Sequence, residues 1–175
     1  MIKRIAILLT AWMLGLTAPA MAQGPADPGA LTPPEAFTPA EDPIYPVGTR
    51  VVLAADHLPG MEGAEAVVSA AFDTVLYAVS YTRTDTGEQV LWQRWVAHEE
   101  IEGAAGLPYE AGSIVTLKAG FAPGMEGAQA EIVEVLTGTA YMADFEASDG
   151  SGPVEGYRWL SEEEIHPYLG TVNNG

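Results

Sequence analysis

The sequence predicts an all-β protein, two small barrels in tandem behind a disordered proline-rich segment. Three observations carry that expectation. The stretch from Val47 to Ile101 recurs without a gap 64 residues later. Within each copy, short Val-, Leu- and Tyr-rich runs alternate with Gly- and Asp-bearing turns, the spacing of strands rather than helices. Prolines crowd the segment before the first copy.

The chain opens with Lys3 and Arg4, then an apolar run from Ile5 to Leu16 broken only by Thr10, then Ala20-Met21-Ala22. A positive start, a short apolar stretch and a small–x–small site make residues 1–22 a secretory signal peptide. The apolar run falls short of the roughly 20 residues a spanning helix needs, so no membrane insertion is expected after cleavage. Gln23 to Pro46 holds seven prolines. Each removes an amide donor and fixes φ, so 23–46 reads as an extended, disordered spacer.

The repeat itself has 19 identities in 55 aligned positions, enough for an internal duplication. Pro59-Gly60-Met61-Glu62-Gly63-Ala64 matches Pro123-Gly124-Met125-Glu126-Gly127-Ala128 letter for letter, Arg94-Trp95 matches Arg158-Trp159, and Glu99-Glu100-Ile101 matches Glu163-Glu164-Ile165. Arg50–Ala55 and Ile114–Ala119 are predicted first strands. The Pro-Gly-Met-Glu-Gly segments are loops, and Glu65–Ala71 and Gln129–Val135 resume as strands. Val75–Thr82 places Val75, Tyr77, Val79 and Tyr81 on one face at period two. Asp85-Thr86-Gly87 and Asp149-Gly150-Ser151-Gly152 are hairpin turns, followed by strands over Val90–Val96 and Val154–Leu160. About five short strands in under 60 residues suit a small SH3-like barrel, one over 47–105 and one over 109–168. Gly103–Pro108 is the link between them and 169–175 a disordered tail.

Composition excludes several classes of function. There is no cysteine, hence no disulfide framework, thiol nucleophile or cysteinyl zinc site. With 24 Asp+Glu against 7 Lys+Arg the net charge is −17, and loss of Lys3 and Arg4 with the signal takes it to −19. Nucleic-acid binding needs the opposite surplus.

The duplicated pattern resembles the YdhK family, a bacterial cell-envelope domain of unknown function. The resemblance is carried by Gly48–Ala66 with its Ala55-Asp56-His57-Leu58-Pro59-Gly60-Met61 stretch, by Tyr77–Thr84, and by Arg94-Trp95-Val96 with the Glu-Glu-Ile sequel. It implies a tandem SH3-like β architecture behind an export signal, and no established activity. The chain departs from the family pattern. Leu58 stands where an Asp-His-Met-like triplet would end, Gly120-Phe121-Ala122 replaces that triplet in the second copy, and Trp92-Gln93 and Gly156-Tyr157 replace Asn-His before the basic–Trp pair. If those His and Met positions bind metal in relatives, most of that role is erased here.

Trp92 has no aromatic counterpart in the second copy and lies opposite in parity to Trp95, so it is expected to be exposed and to contact a ligand. Arg94 and Arg158 are equivalent cations, each expected to pair with a nearby carboxylate such as Glu99 or Glu163, and an anion-binding role is the alternative. With Tyr157 they complete the candidate ligand set. Asp56, His57 and Met61 share one loop and offer carboxylate, imidazole and thioether, a donor set that suits copper. The competing reading makes Met61 and Met125 apolar plugs of the barrels. Asp85-Thr86-Gly87 spells the aspartic-protease triplet, but a hairpin turn explains it. The Glu-rich ends (Glu99, Glu100, Glu102; Glu162 to Glu164) read as a solvated acidic face rather than a calcium loop. No Ser–His–Asp set is assignable. The sequence therefore points to an exported, periplasmic or extracellular protein that is not an enzyme and needs no cofactor. It would bind an envelope protein, peptide or glycan; the alternative is copper binding through Asp56, His57 and Met61.

Overall fold

The computed structural model describes residues 37–170. The segment expected to be a signal peptide (residues 1–22), the first part of the proline-rich lead and residues 171–175 of the tail lie outside them. The described chain is all-β. Its strands are β1 (Arg50–Leu53), β2 (Glu65–Thr82), β3 (Gln89–Ala97), β4 (Ile114–Thr116), β5 (Gln129–Glu146), β6 (Pro153–Leu160) and β7 (Ile165–Pro167). Single 3-10 turns at His98–Glu100 and Glu162–Glu164 follow β3 and β6. All strand pairs are antiparallel, in the order β4-β5-β2-β1-β7, with β3 on β2 and β6 on β5.

The main departure from the sequence expectation lies in β2 and β5. The runs Glu65–Ala71 and Val75–Thr82 are not separate strands but one strand of 18 residues, and β5 is its equal. The physical reason is the pairing: Phe72-Asp73-Thr74 contains no glycine or proline, and even Gly138 at the matching place in β5 stays extended, because each long strand is hydrogen-bonded to the other along its length. The two long strands pair with each other from Ala66↔Phe145 to Tyr81↔Ala130. Thr74 faces Gly138, its own repeat equivalent, so the pseudo-two-fold axis of the duplication passes between them.

Because each long strand runs through the axis, its halves serve different cores. One core holds Val51, Leu53, Met61, Ala66 and Val68 from the first repeat with Tyr141, Phe145, Leu160 and Ile165 from the second. The other holds Tyr77, Val79, Tyr81, Val96 and Ile101 with Val115, Leu117, Met125 and Ile132. The boundaries 47–105 and 109–168 therefore mark repeats of sequence but not the packed units. There are two lobes, one of β1, β6, β7 and one half each of β2 and β5, the other of β3, β4 and the remaining halves with the Ile101–Leu117 bridge, and each draws strands from both repeats. The predicted face of Val75, Tyr77, Val79 and Tyr81 does point inward together. In each lobe Met61 or Met125 is fully buried, filling the space beneath its loop.

A third apolar cluster covers the reverse face of the central β2–β5 ladder: Phe72, Leu76, Ala78, Ala140, Met142, Trp95 and Trp159, capped by Phe37. Here the spacer expectation needs correction for its last residues. Phe37 stacks 4.8 Å from Trp159 and 5.4 Å from Phe72. Ala40 donates to Ala71 O, Asp73 donates to Thr38 O, and the Tyr45 hydroxyl donates to Ile165 O. Two aromatic rings give this stretch the apolar area that its prolines lack, which is enough to hold it on the sheet.

Candidate functional site

The 3-10 turns bring a glutamate back across the pseudo-two-fold axis to each repeated tryptophan. Trp95 Nε1 of the first repeat donates to Glu164 Oε2 of the second at 2.7 Å, and Trp159 Nε1 donates to Glu100 Oε2 at 2.8 Å. Each carboxylate also caps its own turn, accepting from the backbone N–H of Ser161 or Ala97. The Glu-rich ends are thus not simply a solvated face: Glu100 is 5% exposed and Glu164 is largely buried.

The two crossings differ in what balances the charge. Glu164 Oε1 receives His57 Nε2 at 2.9 Å, while His57 Nδ1 lies 2.9 Å from the Tyr157 hydroxyl. His57 thus bridges the Glu164 carboxylate and the Tyr157 hydroxyl through its two ring nitrogens. Burial pushes the Glu164 carboxyl up, but the hydrogen bonds from His57 and Ser161, the His57 charge and the Trp95 N–H outweigh it, and the net shift is downward. Burial raises the Tyr157 phenol far above its ordinary range, helped by the Glu164 charge. At the other crossing Phe121 occupies the position of His57 and carries no charge. Arg158 takes over, 3.4 Å from Glu100 Oε1 and stacked on Trp159. There burial wins, and Glu100 is shifted upward despite the Ala97 N–H, Arg158 and Trp159.

These contacts place the predicted residues. Asp56 and His57 line one cleft of about 500 Å³ with Leu91, Trp92, Gln93 and Arg94. Tyr157 lies behind His57. Arg158 is at the equivalent place across the axis, buried on Glu100. Met61 is not in the cleft at all but in a lobe core, and both His57 nitrogens are engaged within the protein. The copper donor set does not converge, and among the described residues no three His, Asp or Glu side chains are grouped to hold a metal ion. Neither arginine uses Glu99 or Glu163. Arg94 pairs with Glu134 at 3.1 Å and lies over the Trp95 ring, and Glu99 accepts instead from Thr74 Oγ1.

Trp92 is 57% exposed and sits at φ 55°, the one non-glycine residue with positive φ among those described. Its equivalent Gly156 has φ 62°. Both backbone N–H groups donate to the side chain at one equivalent position, Ser80 Oγ and Asp144 Oδ1. The bulge is therefore a feature of the fold, and the bulky ring is imposed on it in one lobe only. Sequence reasoning missed Leu91 and Gln93, which flank Trp92, and Glu100 and Glu164. The available signal was the joint repetition of the Trp and Glu positions, which a shared hydrogen bond requires.

The comparisons agree with this architecture. The model of a family described as protein of unknown function (DUF1541) matches residues 47–98 and 111–162. The chain is 38% identical over 137 residues to the uncharacterized protein YdhK of Bacillus subtilis (strain 168), covering 78% of this chain and 67% of that one. The crystal structure of B. subtilis YdhK superposes with a TM-score of 0.77 at 37% identity, over 81% of this chain and 96% of the other. The solution structure of the YdhK C-terminal domain gives 0.68 at 39% identity over 71% and 94%, a share larger than one repeat. The two matched stretches are the two repeats that interlock here, and the chain belongs to the DUF1541, or YdhK, family.

Proposed function

We propose that this protein is an exported, non-enzymatic binding module of the cell envelope, and that the Trp92 cleft takes a sugar ring of an envelope glycan. The observation that carries this is Trp92 itself. A non-glycine residue in the left-handed region costs about 1–3 kcal/mol, and such outliers cluster at functional sites. Glycine fills the same bulge at position 156, so a cheaper residue fits this backbone. The large indole is also exposed, at the mouth of a cleft that carries both donors and acceptors on Asp56, Gln93 and Arg94. A sugar presents an apolar C–H face to a ring and hydroxyls to such groups. The strong negative charge disfavours anionic ligands. A peptide added as a strand fits less well. Among the described residues β3 pairs with β2 alone, but the positive φ at Trp92 breaks its other edge where a regular ladder would have to run.

The test uses residues 23–175 and soluble N-acetylglucosamine oligosaccharides. In this mature chain Trp92 is the exposed tryptophan, since Trp95 and Trp159 are buried. Saturable sugar binding with a blue shift of the red-edge emission is expected. Trp92→Gly should abolish it while leaving the protein at least as stable in urea, because the strain is relieved. Flat titrations with these and with other neutral oligosaccharides, or equal binding by Trp92→Gly, would remove the cleft as a sugar site.

A further inference from the structure

The contacts that close each lobe cross from one repeat to the other. The β2–β5 ladder does so along 15 paired positions, the two lobe cores do so, and the two Trp–Glu bonds do so. The hairpin tips add a fourth set. Ser148 N–H of the second repeat donates to Gly60 O of the first at 2.8 Å, and Thr84 N–H of the first donates to Gly124 O of the second at 2.9 Å. A Cβ on Gly60 would stand 2.6 Å from Asp149 Oδ1, and one on Gly124 closer still to Asp85 Oδ1. The letter-for-letter copies of Pro-Gly-Met-Glu-Gly are thus seats for the tip of the opposite repeat. A repeat alone has no closed core, because β1 and the first half of β2 aim their apolar residues into one lobe, while the second half of β2 and β3 aim theirs into the other. Covalent continuity between repeats runs only through Gly103–Pro108, where Leu107 is 88% exposed.

We propose that the partner this surface fits is a repeat as such, and that a second copy of this chain can supply it. The first repeat of one chain closes on the second repeat of another with the same ladder, cores and crossings, giving a reciprocal dimer that carries two Trp92 clefts. Within one chain the connecting segment holds the two halves at an effective concentration on the order of millimolar, which favours the closed monomer. Unlike pairing keeps both crossings as they stand, His57 on Glu164 and Arg158 on Glu100.

The experiment cuts the tether in the folded full chain. A protease site is placed between Ala104 and Leu107, the protein is nicked, and native mass spectrometry is run before and after mixing with an isotopically heavy nicked copy, with brief passage through urea. The nicked protein should keep the mass of the intact chain and the buried-tryptophan emission. After mixing, about half of the complexes should be mixed-isotope pairs, each with one first and one second repeat. The proposal is overturned if the nicked halves separate, whether folded or unfolded, or if they stay joined but return from urea without mixed pairs. These readouts are independent of sugar binding, so failure of the proposed function leaves them intact.

Discussion

The two crossings of the pseudo-two-fold axis are built from the same Trp, Glu and 3-10 turn, yet they solve the burial of a carboxylate in different ways. Glu164 is held by three kinds of hydrogen bond and a neighbouring histidine, and its acidity rises. Glu100 sits deeper, its cation is farther away, and its acidity falls. Duplication preserved the hydrogen bond that locks the repeats together and left the charge balance free to diverge. At the crossing that holds His57, that divergence coincides with an open cleft and Trp92. At the other crossing, Arg158 is drawn inward, and no exposed ring stands at Gly156.

The comparison can be broken most forcefully at the buried pair. Glu100→Ala leaves Arg158 unpaired in the interior and should cost about 3–5 kcal/mol. Glu164→Ala strands the donors of His57, Trp95 and Ser161 and should cost about 2–3 kcal/mol. Urea unfolding of both variants measures the difference, and equal losses would mean that the arginine pair has no special weight.

The loops should show the opposite pattern, equivalence. Gly60→Ala and Gly124→Ala each force a side chain onto positive φ and against the opposite tip, for about 1–3 kcal/mol. The same unfolding experiment with Asp149→Ala added should recover part of the Gly60→Ala loss. No recovery would detach the glycine requirement from the docked tip.

The smallest and most specific effect is in pH. The lowered carboxyl of Glu164 contributes stability that is present above its unfolded value near 4.5 and is lost as pH falls through its folded value. The raised carboxyl of Glu100 does the reverse: the fold holds its proton more tightly, so its contribution is greatest at low pH and declines as pH rises from about 4.5 through the folded value. Thermal melts across pH 3 to 7 should therefore lose acid sensitivity in Glu164→Gln and lose the decline above pH 4.5 in Glu100→Gln. A shift of the same sign in both variants would contradict the assigned asymmetry.

Much of the site was legible before any coordinates. Trp92, Asp56, His57 and Arg94 were each singled out by residue chemistry or by failure to repeat, and they line one cleft. What was not legible was that they face each other. Asp56 and His57 sit on a loop of one lobe and Trp92 on a strand of the other, 35 positions along the chain. Nor could spacing show that Met61 turns inward while His57, four residues earlier, turns to Glu164. Burial of that kind depends on which strand lies opposite.

The sequence by itself determined which segments are extended, the turns, the duplication and the family. These rest on local backbone preference and on letters that can be compared directly. Only the tertiary structure decided how the repeats share their cores. A strand of 18 residues satisfies the same local rules as two shorter ones separated by a turn. The choice between them is made by whether a partner of equal length pairs along the whole of it. That partner is the other copy, so the unit that repeats in sequence is only half of the unit that packs.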